Sequence, residues 1–201
     1  MFKSILVSVI GFVKKVIFKL NAIETAASCN KKVINNGGFF LPEAKVENMQ
    51  NDPAKITIGA GTYIRGELQV YSYGGKIAIG DNCYIGAGSK IWSGDSIKVG
   101  NNVLIGHNVN IIDFSHKSKS IDRAEAFRKL IADGHPTEKG NIPTRPIVIE
   151  DDVIIYAGAN IVMGVTIGKA SIISAGSVVI KDIPPYSQVL GNPGKIVWRT
   201  K

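Results

Sequence analysis

Aliphatic side chains return along this chain every six positions, a period that suits neither an amphipathic helix nor a simple alternating strand. From Ile56 onward the first run is Ile58, Ile64 and Val70, the second Ile79, Ile85 and Ile91, and the third Val99, Ile105 and Ile111. A fourth begins at Ile149 and continues through Ile155, Ile161, Ile167, Ile173 and Val179. Glycine often follows directly, as at Gly59, Gly80, Gly86, Gly100, Gly106 and Gly168. A small or aliphatic residue stands two places before, as Cys83, Val103, Ala159, Val165 and Ser171 do. The pattern predicts short strands joined by tight corners, with one inward aliphatic side chain per flat face. Three faces close a coil, and stacked coils bury a continuous apolar column. Gly80-Asp81-Asn82 and Gly100-Asn101-Asn102 supply the residue types such corners tolerate. The expected class is all-β, a parallel β-helix; the spacing leaves its hand open.

The sixes fail in three places. Ile91 to Val99 spans eight, so two residues slip in near Ser93–Ser96, and Val70 to Ile79 spans nine, which predicts a bulge around Gly74-Gly75. The large break lies between Ile111 and Ile149 and predicts a protruding loop, residues 114–146, polar and charged, with Pro136, Pro143 and a short helix over Asp122–Ile131. A solenoid buries its backbone efficiently, so long interruptions are where chemistry is placed.

Before the repeat, Ile5, Leu6, Val9, Phe12, Val13, Val16, Ile17 and Leu20 recur at helical spacing, with Lys3, Lys14, Lys15 and Lys19 and no acidic residue ahead of Glu24. The unbroken apolar stretch is too short to span a bilayer. Two readings stand: peripheral contact of residues 1–20 with an anionic membrane surface, or a helix that packs on its own oligomer or caps one end of the solenoid. Ala26-Ala27-Ser28-Cys29 faintly resembles a lipoprotein cleavage box, but the lysines interrupt the apolar region a signal peptide needs. The expected organisation is an amphipathic helical segment (1–25), a lead-in (26–55), the β-helix (56–183) and a tail (184–201).

Composition adds limits. The 201 residues carry a net charge of +8 and 7 % aromatic residues, and no nucleic-acid-binding motif accompanies the charge, so nucleic acid is set aside in favour of an acidic surface or a polyanionic small molecule. Of the two cysteines, Cys83 falls at a small inward position and reads as a buried free thiol, which fits a reducing, cytoplasmic location, with the membrane's inner face as the peripheral variant.

Two stretches carry a resemblance. One is Ile161-Val162-Met163-Gly164-Val165-Thr166-Ile167-Gly168, continued by Ala175-Gly176-Ser177-Val178-Val179-Ile180-Lys181-Asp182-Ile183-Pro184-Pro185-Tyr186-Ser187 and Gly191-Asn192-Pro193-Gly194-Lys195. The other is Asn101-Asn102-Val103-Leu104-Ile105-Gly106 followed by Asp113-Phe114-Ser115-His116. Together they resemble the hexapeptide-repeat acyltransferases, in their sugar and polysaccharide O-acetyltransferase branch, over roughly Ile56 to Arg199. The resemblance implies a left-handed β-helix, a homotrimer, acetyl-coenzyme A in the groove between subunits, and His116 as the general base. Two departures stand out. Val153-Ile154-Ile155-Tyr156 replaces the family's Val-Trp-Ile-Gly, and the asparagine that galactoside and maltose transferases carry near Gly88 is missing. Asp113-x-x-His116 is closer to enzymes that modify surface polysaccharides or their lipid-linked precursors.

An acyl thioester is already activated, so the enzyme's main task is to take the proton from a hydroxyl, which a neutral imidazole does near physiological pH. Asp113 or Asp122 could orient the His116 ring, Asp113 being nearer in sequence. His107 reads as an exposed corner residue, and His135 stays open between acceptor contact and solvent. Three histidines at these spacings make no metal set, and no metal is expected. For coenzyme A, Ala157, Ser174 and Ala175 let a pantetheine arm lie close. Lys181, Lys195 and Arg199 crowd the last segment and could meet the phosphates, and Asn192-Pro193 turns the tail back. The expected activity is transfer of an acetyl group from acetyl-coenzyme A to a saccharide hydroxyl. The alternatives are N-acetylation of an amino-sugar nucleotide and a non-catalytic trimeric scaffold at a membrane surface.

Overall fold

The computed structural model describes residues 2–115, 128, 131, 132, 134 and 137–199, with side chains from residue 10 onward. One α-helix, Phe2–Asn30, leads into a three-faced parallel solenoid, the architecture of a left-handed β-helix. The first face stacks Ile34–Asn35, Ile56–Ile58, Ile77–Ile79, Ile97–Val99, Ile147–Ile149 and Thr166–Ile167. The second stacks Phe39–Phe40, Tyr63–Ile64, Tyr84–Ile85, Leu104–Ile105, Ile154–Ile155, Ile172–Ile173 and Ser187–Leu190, and Lys195–Arg199 closes it antiparallel. The third stacks Lys45–Asn48, Glu67–Val70, Lys90–Ser93, Asn110–Ile112, Asn160–Val162 and Val178–Val179.

The register explains the sixes. Ile64, Ile85, Ile105, Ile155, Ile173 and Val189 lie one above another on the second face, and all are buried. Leu68, Ile91, Ile111, Ile161 and Val179 do the same on the third. Burying one such aliphatic side chain stabilises by about 1.5–3 kcal/mol, and each coil repeats that gain. In five successive coils the corner between the first and second faces turns through a left-handed residue other than glycine: Asn82, Asn102, Asp152, Ala170 and Tyr186 have φ of 54°, 56°, 61°, 53° and 59°. Asn and Asp reach that conformation at lower cost than most residues, so they fill it where the repeat is most regular. Close stacking also requires glycine: a Cβ at Gly86 would lie 2.4 Å from the Gly106 carbonyl oxygen of the next coil.

The solenoid starts before Ile56. Residues 34–48 already form a coil, with Asn35 over Ile58, Phe40 over Ile64 and Val46 over Leu68. Asn35 hides the repeat because it stands where an isoleucine is expected; its Oδ1 accepts from the Gly37 and Gly38 N–H groups instead. At the other end, Ile183 bridges Ile167 and Ser187–Leu190 joins the second face, so most of the expected tail is solenoid too. Cys29 and Cys83 are both free and buried, and burial pushes both thiols up.

Candidate functional site: one edge of insertions and one of small residues

All three register breaks fall at the same corner, where the third face turns into the first. The turn after Val70 carries Gly74 and Gly75 at φ 154° and 112°. Ser93–Ser96 lies beside it in the next coil, and a Cβ on Gly75 would meet the Ser93 carbonyl oxygen at 2.1 Å. The long loop leaves after Ile112 in the coil after that and returns at Ile147. Its two ends close on each other: Phe114 bridges Thr144, the Ser115 N–H donates to the Pro143 carbonyl at 3.0 Å, and the Arg145 N–H donates to the Asp113 carbonyl at 2.9 Å.

Asp113 locks this neck to the turn beneath it. Its carboxylate is fully buried and accepts from Ser93 Oγ at 2.6 Å, from the Gly94 N–H at 2.7 Å and from the Asp95 N–H at 3.1 Å. Desolvation raises its pKa, and the three hydrogen bonds, Ser93's first, pull the other way. Asp95 in turn accepts from Thr144 Oγ1 at 2.9 Å, a second tie between turn and neck. Tyr71 stacks on Tyr73 at 5.3 Å and meets Phe114 edge-on at 4.8 Å, walling the neck with aromatic rings. Burial, then the Asp113 carboxylate, push the Tyr73 phenol up to about 12. Ser93, Gly94, Asp95 and Thr144 were not among the expected site residues; the two extra positions between Ile91 and Val99 were the available signal.

His116 follows this neck directly in sequence and lies outside the described residues, as do His135, Asp122 and most of the helix expected over Asp122–Ile131. His107 is at an exposed corner, its ring edge-on to Tyr84 at 6.3 Å. Among the described residues no three His, Cys, Asp or Glu side chains converge to hold a metal ion.

The opposite end of the third face, where it meets the second, is smooth. Ala87, His107, Ala157 and Ala175 stack there, linked by N–H donation from Asn108 to Ala87 at 3.1 Å, Gly158 to His107 at 2.9 Å and Gly176 to Ala157 at 2.9 Å. Ala157 and Ala175 are exposed, with Ser174 half-buried beside them. Asn192 and Pro193 continue the edge one coil on, where the Val178 N–H donates to Gly191 and the Gly194 N–H to Val178. Five of the expected coenzyme residues thus share one edge. The three cations do not share a site. Lys195 lies at this edge opposite Leu190, Arg199 at the far end of the same strand opposite Ser187, and Lys181 at the third corner between Val179 and Ile183. Their closeness in sequence does not carry into space, because one turn of the coil visits all three corners.

Residues 76–112 and 146–181 match the sequence profile described as "Hexapeptide repeat of succinyl-transferase". A 2,3,4,5-tetrahydropyridine-2,6-dicarboxylate N-acetyltransferase of Brevibacillus brevis is 49 % identical over 53 residues, 26 % of this chain and 22 % of that protein, so the chain spans under a quarter of that relative's length. Among solved structures, a hexapeptide-repeat acetyltransferase of Vibrio cholerae in complex with acetyl-coenzyme A is 26 % identical with a TM-score of 0.55, covering 92 % of this chain and 85 % of that one. The N-acyltransferase AntD of Bacillus cereus, in complex with dTDP and coenzyme A, is 18 % identical with a TM-score of 0.67, covering 89 % and 88 %, and shares the fold. The six-residue register and the three stacked faces agree with the two segments that match this hexapeptide-repeat profile.

Proposed function

We propose that the chain is an acyl-coenzyme A-dependent transferase that moves an acetyl group to a saccharide hydroxyl, acting as a homotrimer. The observation that carries the reading is the pairing of two edges on one solenoid: a smooth, small-residue edge suited to a pantetheine arm, and an insertion edge with a rigid neck that leads into His116. The structural relative with bound acetyl-coenzyme A supports the co-substrate.

In this reading His116, as a neutral imidazole, takes the proton of the acceptor hydroxyl while its oxygen attacks the thioester carbonyl. The tetrahedral intermediate then expels the coenzyme A thiolate, which recovers the proton from the imidazolium. Asp113 acts through position. Its carboxylate is occupied by the Ser93–Asp95 turn, so it holds the neck from which His116 extends.

Distance supports an assembly of more than one chain, which the homotrimer of this reading supplies. From the corner at Asn108 to Asp113 is five residues of strand, about 16 Å at ~3.3 Å per residue, whereas a general base works within about 3 Å of its proton. A thioester lying along the small-residue edge of one chain is therefore served by the insertion edge of a neighbour. The outward column of the second face supports the contact: Phe39, Tyr63 and Leu104 are 51 %, 44 % and 42 % exposed and lie in one register line with Tyr84 between them. A continuous apolar stripe of this kind marks an interaction surface.

The N-acyltransferase neighbour crystallised with dTDP supports a second reading, transfer to the amino group of a nucleotide sugar. Release of free coenzyme A from acetyl-coenzyme A, measured against hydroxyl-only and amino-bearing nucleotide sugars and oligosaccharides, separates the two. His116→Ala is expected to melt like the parent and to lose at least a hundredfold in turnover, the lower bound of general-base catalysis. Full activity in that variant removes His116 from the mechanism, and the absence of any coenzyme A binding favours the scaffold.

A further inference from the structure

Among the side chains described, the first helix is joined to the solenoid near its C-terminal end. Cys29 is buried and Ala26 packs against the core cluster, while every residue from Ile10 to Asn21 is exposed. At 100° per residue, Ile10, Phe12, Val13, Val16, Ile17, Leu20 and Ile23 fall on one arc about 160° wide. Phe12 and Ile23 are 69 % and 67 % exposed. Lys14, Lys15 and Lys19 lie on the remaining face, with Phe18 (60 % exposed) between them, and no acidic residue precedes Glu24. No helix among the described residues is long and apolar enough to cross a membrane.

We propose that this helix lies flat on an anionic lipid bilayer, its apolar arc in the acyl boundary and its lysines at the phosphate level. The two features select this occupant together. A seam between copies of the helix would use Val13, Val16, Leu20 and Ile23 at heptad spacing. It would leave Ile10, Phe12 and Ile17 outside the seam and would keep Lys14 and Lys15 on its outer side with no acidic partner, Glu24 being placed to meet Lys19 alone. A bilayer surface takes the whole width of the arc, and its phosphates are the counter-charge the lysines lack. The inference is independent of the transferase reading, since neither edge of the proposed site is built from the described residues of the helix.

The test uses the full chain, co-sedimented with vesicles of phosphatidylglycerol in phosphatidylcholine and with phosphatidylcholine alone. Binding to the anionic vesicles is expected, much weaker on the neutral ones. The triple change Lys14→Gln, Lys15→Gln, Lys19→Gln is expected to weaken it by about a hundredfold, three cations each contributing about fivefold. Its thermal melt should be unchanged, because these side chains touch nothing in the solenoid. A full chain that stays in the supernatant, or a triple variant that binds as tightly as the parent, overturns the proposal. So does a Val16→Asp variant that still binds vesicles but falls to a smaller species by light scattering, since the arc would then serve self-association.

Discussion

The Ser93 hydroxyl donates to Asp113 Oδ2 at 2.6 Å, and this contact ties an insertion of one coil to the neck of the long loop in the next. Gly94 and Asp95 add two backbone N–H donors to the same carboxylate. Removing the acceptor leaves two buried donors and one part-buried donor without it, each buried one costing about 1–3 kcal/mol if nothing replaces it. Asp113→Ala is expected to lower stability by about 3–5 kcal/mol and Ser93→Ala by about 1–2 kcal/mol. In a double-mutant cycle the two should not add, because they share one contact. Urea midpoints for the four proteins check it; additive losses would mean that the neck is held by something else.

The same carboxylate gives a pH dependence with a definite sign. Burial raises the Asp113 pKa above its unfolded value, so in the window between the ordinary carboxylate range and the raised value the folded chain holds a proton that the unfolded chain has lost. Stability from this group is therefore greatest below about pH 4 and declines as pH rises through the window. Asp113→Asn carries no such proton. The difference in unfolding free energy between parent and variant should shift toward the variant as pH is raised from about 4 to 7, measured by denaturant titration at each pH. A difference that shifts toward the parent would mean that the hydrogen bonds outweigh desolvation and that the pKa is lowered.

Much of this was legible because an inward isoleucine every six residues has one efficient packing solution, and Ile85, Ile105 and Ile155 do stack as their spacing requires. The first coil was hidden where chemistry replaces packing: Asn35 satisfies its own turn at an inward position. The breaks at Gly74-Gly75, Ser93–Ser96 and residues 114–146 could each be counted, yet only the coil brings them to one corner. Conversely, Lys181, Lys195 and Arg199 crowd the end of the sequence and are dispersed by the same geometry. A solenoid makes residues one full turn apart neighbours, so proximity along the chain is a poor guide to a site.

The outward column of the second face is the proposed contact between subunits. Leu104→Lys, or Tyr63→Lys one coil further from it than Tyr84, places a charge in that contact without touching the inward Ile105 or Ile64. Burying an unpaired charge at an interface costs several kcal/mol. Each variant is expected to run as a monomer in light scattering and to lose turnover while its far-ultraviolet spectrum is kept. Lys98→Glu, on the exposed outer side of the first face, is the control and should leave the assembly unchanged. A parent chain that is itself monomeric, yet active, would remove the distance argument for a shared site.

Dispersal of the cations separates three residues that sequence proximity grouped. Lys195 sits at the edge that also holds Ala157, Ala175, Asn192 and Pro193, whereas Lys181 is at another corner and the Arg199 guanidinium is drawn to the Pro185 carbonyl at 3.3 Å. If coenzyme A lies on the small-residue edge, only Lys195 is placed to meet its phosphates. Losing one exposed charge-assisted contact to a phosphate is worth about 0.5–1.5 kcal/mol, a factor of roughly 2–12. Lys195→Gln should therefore raise KM for acetyl-coenzyme A by that factor with kcat little changed, since the phosphates are held equally in ground and transition states. Lys181→Gln should leave both constants near the parent. Ala157→Trp, which fills the edge itself, should raise KM far more while the melt is kept, because Ala157 is exposed and its side chain supports nothing. Equal effects from Lys181 and Lys195 would place the phosphates away from this edge, and an Ala157→Trp variant with normal KM would remove the edge as the thioester's path.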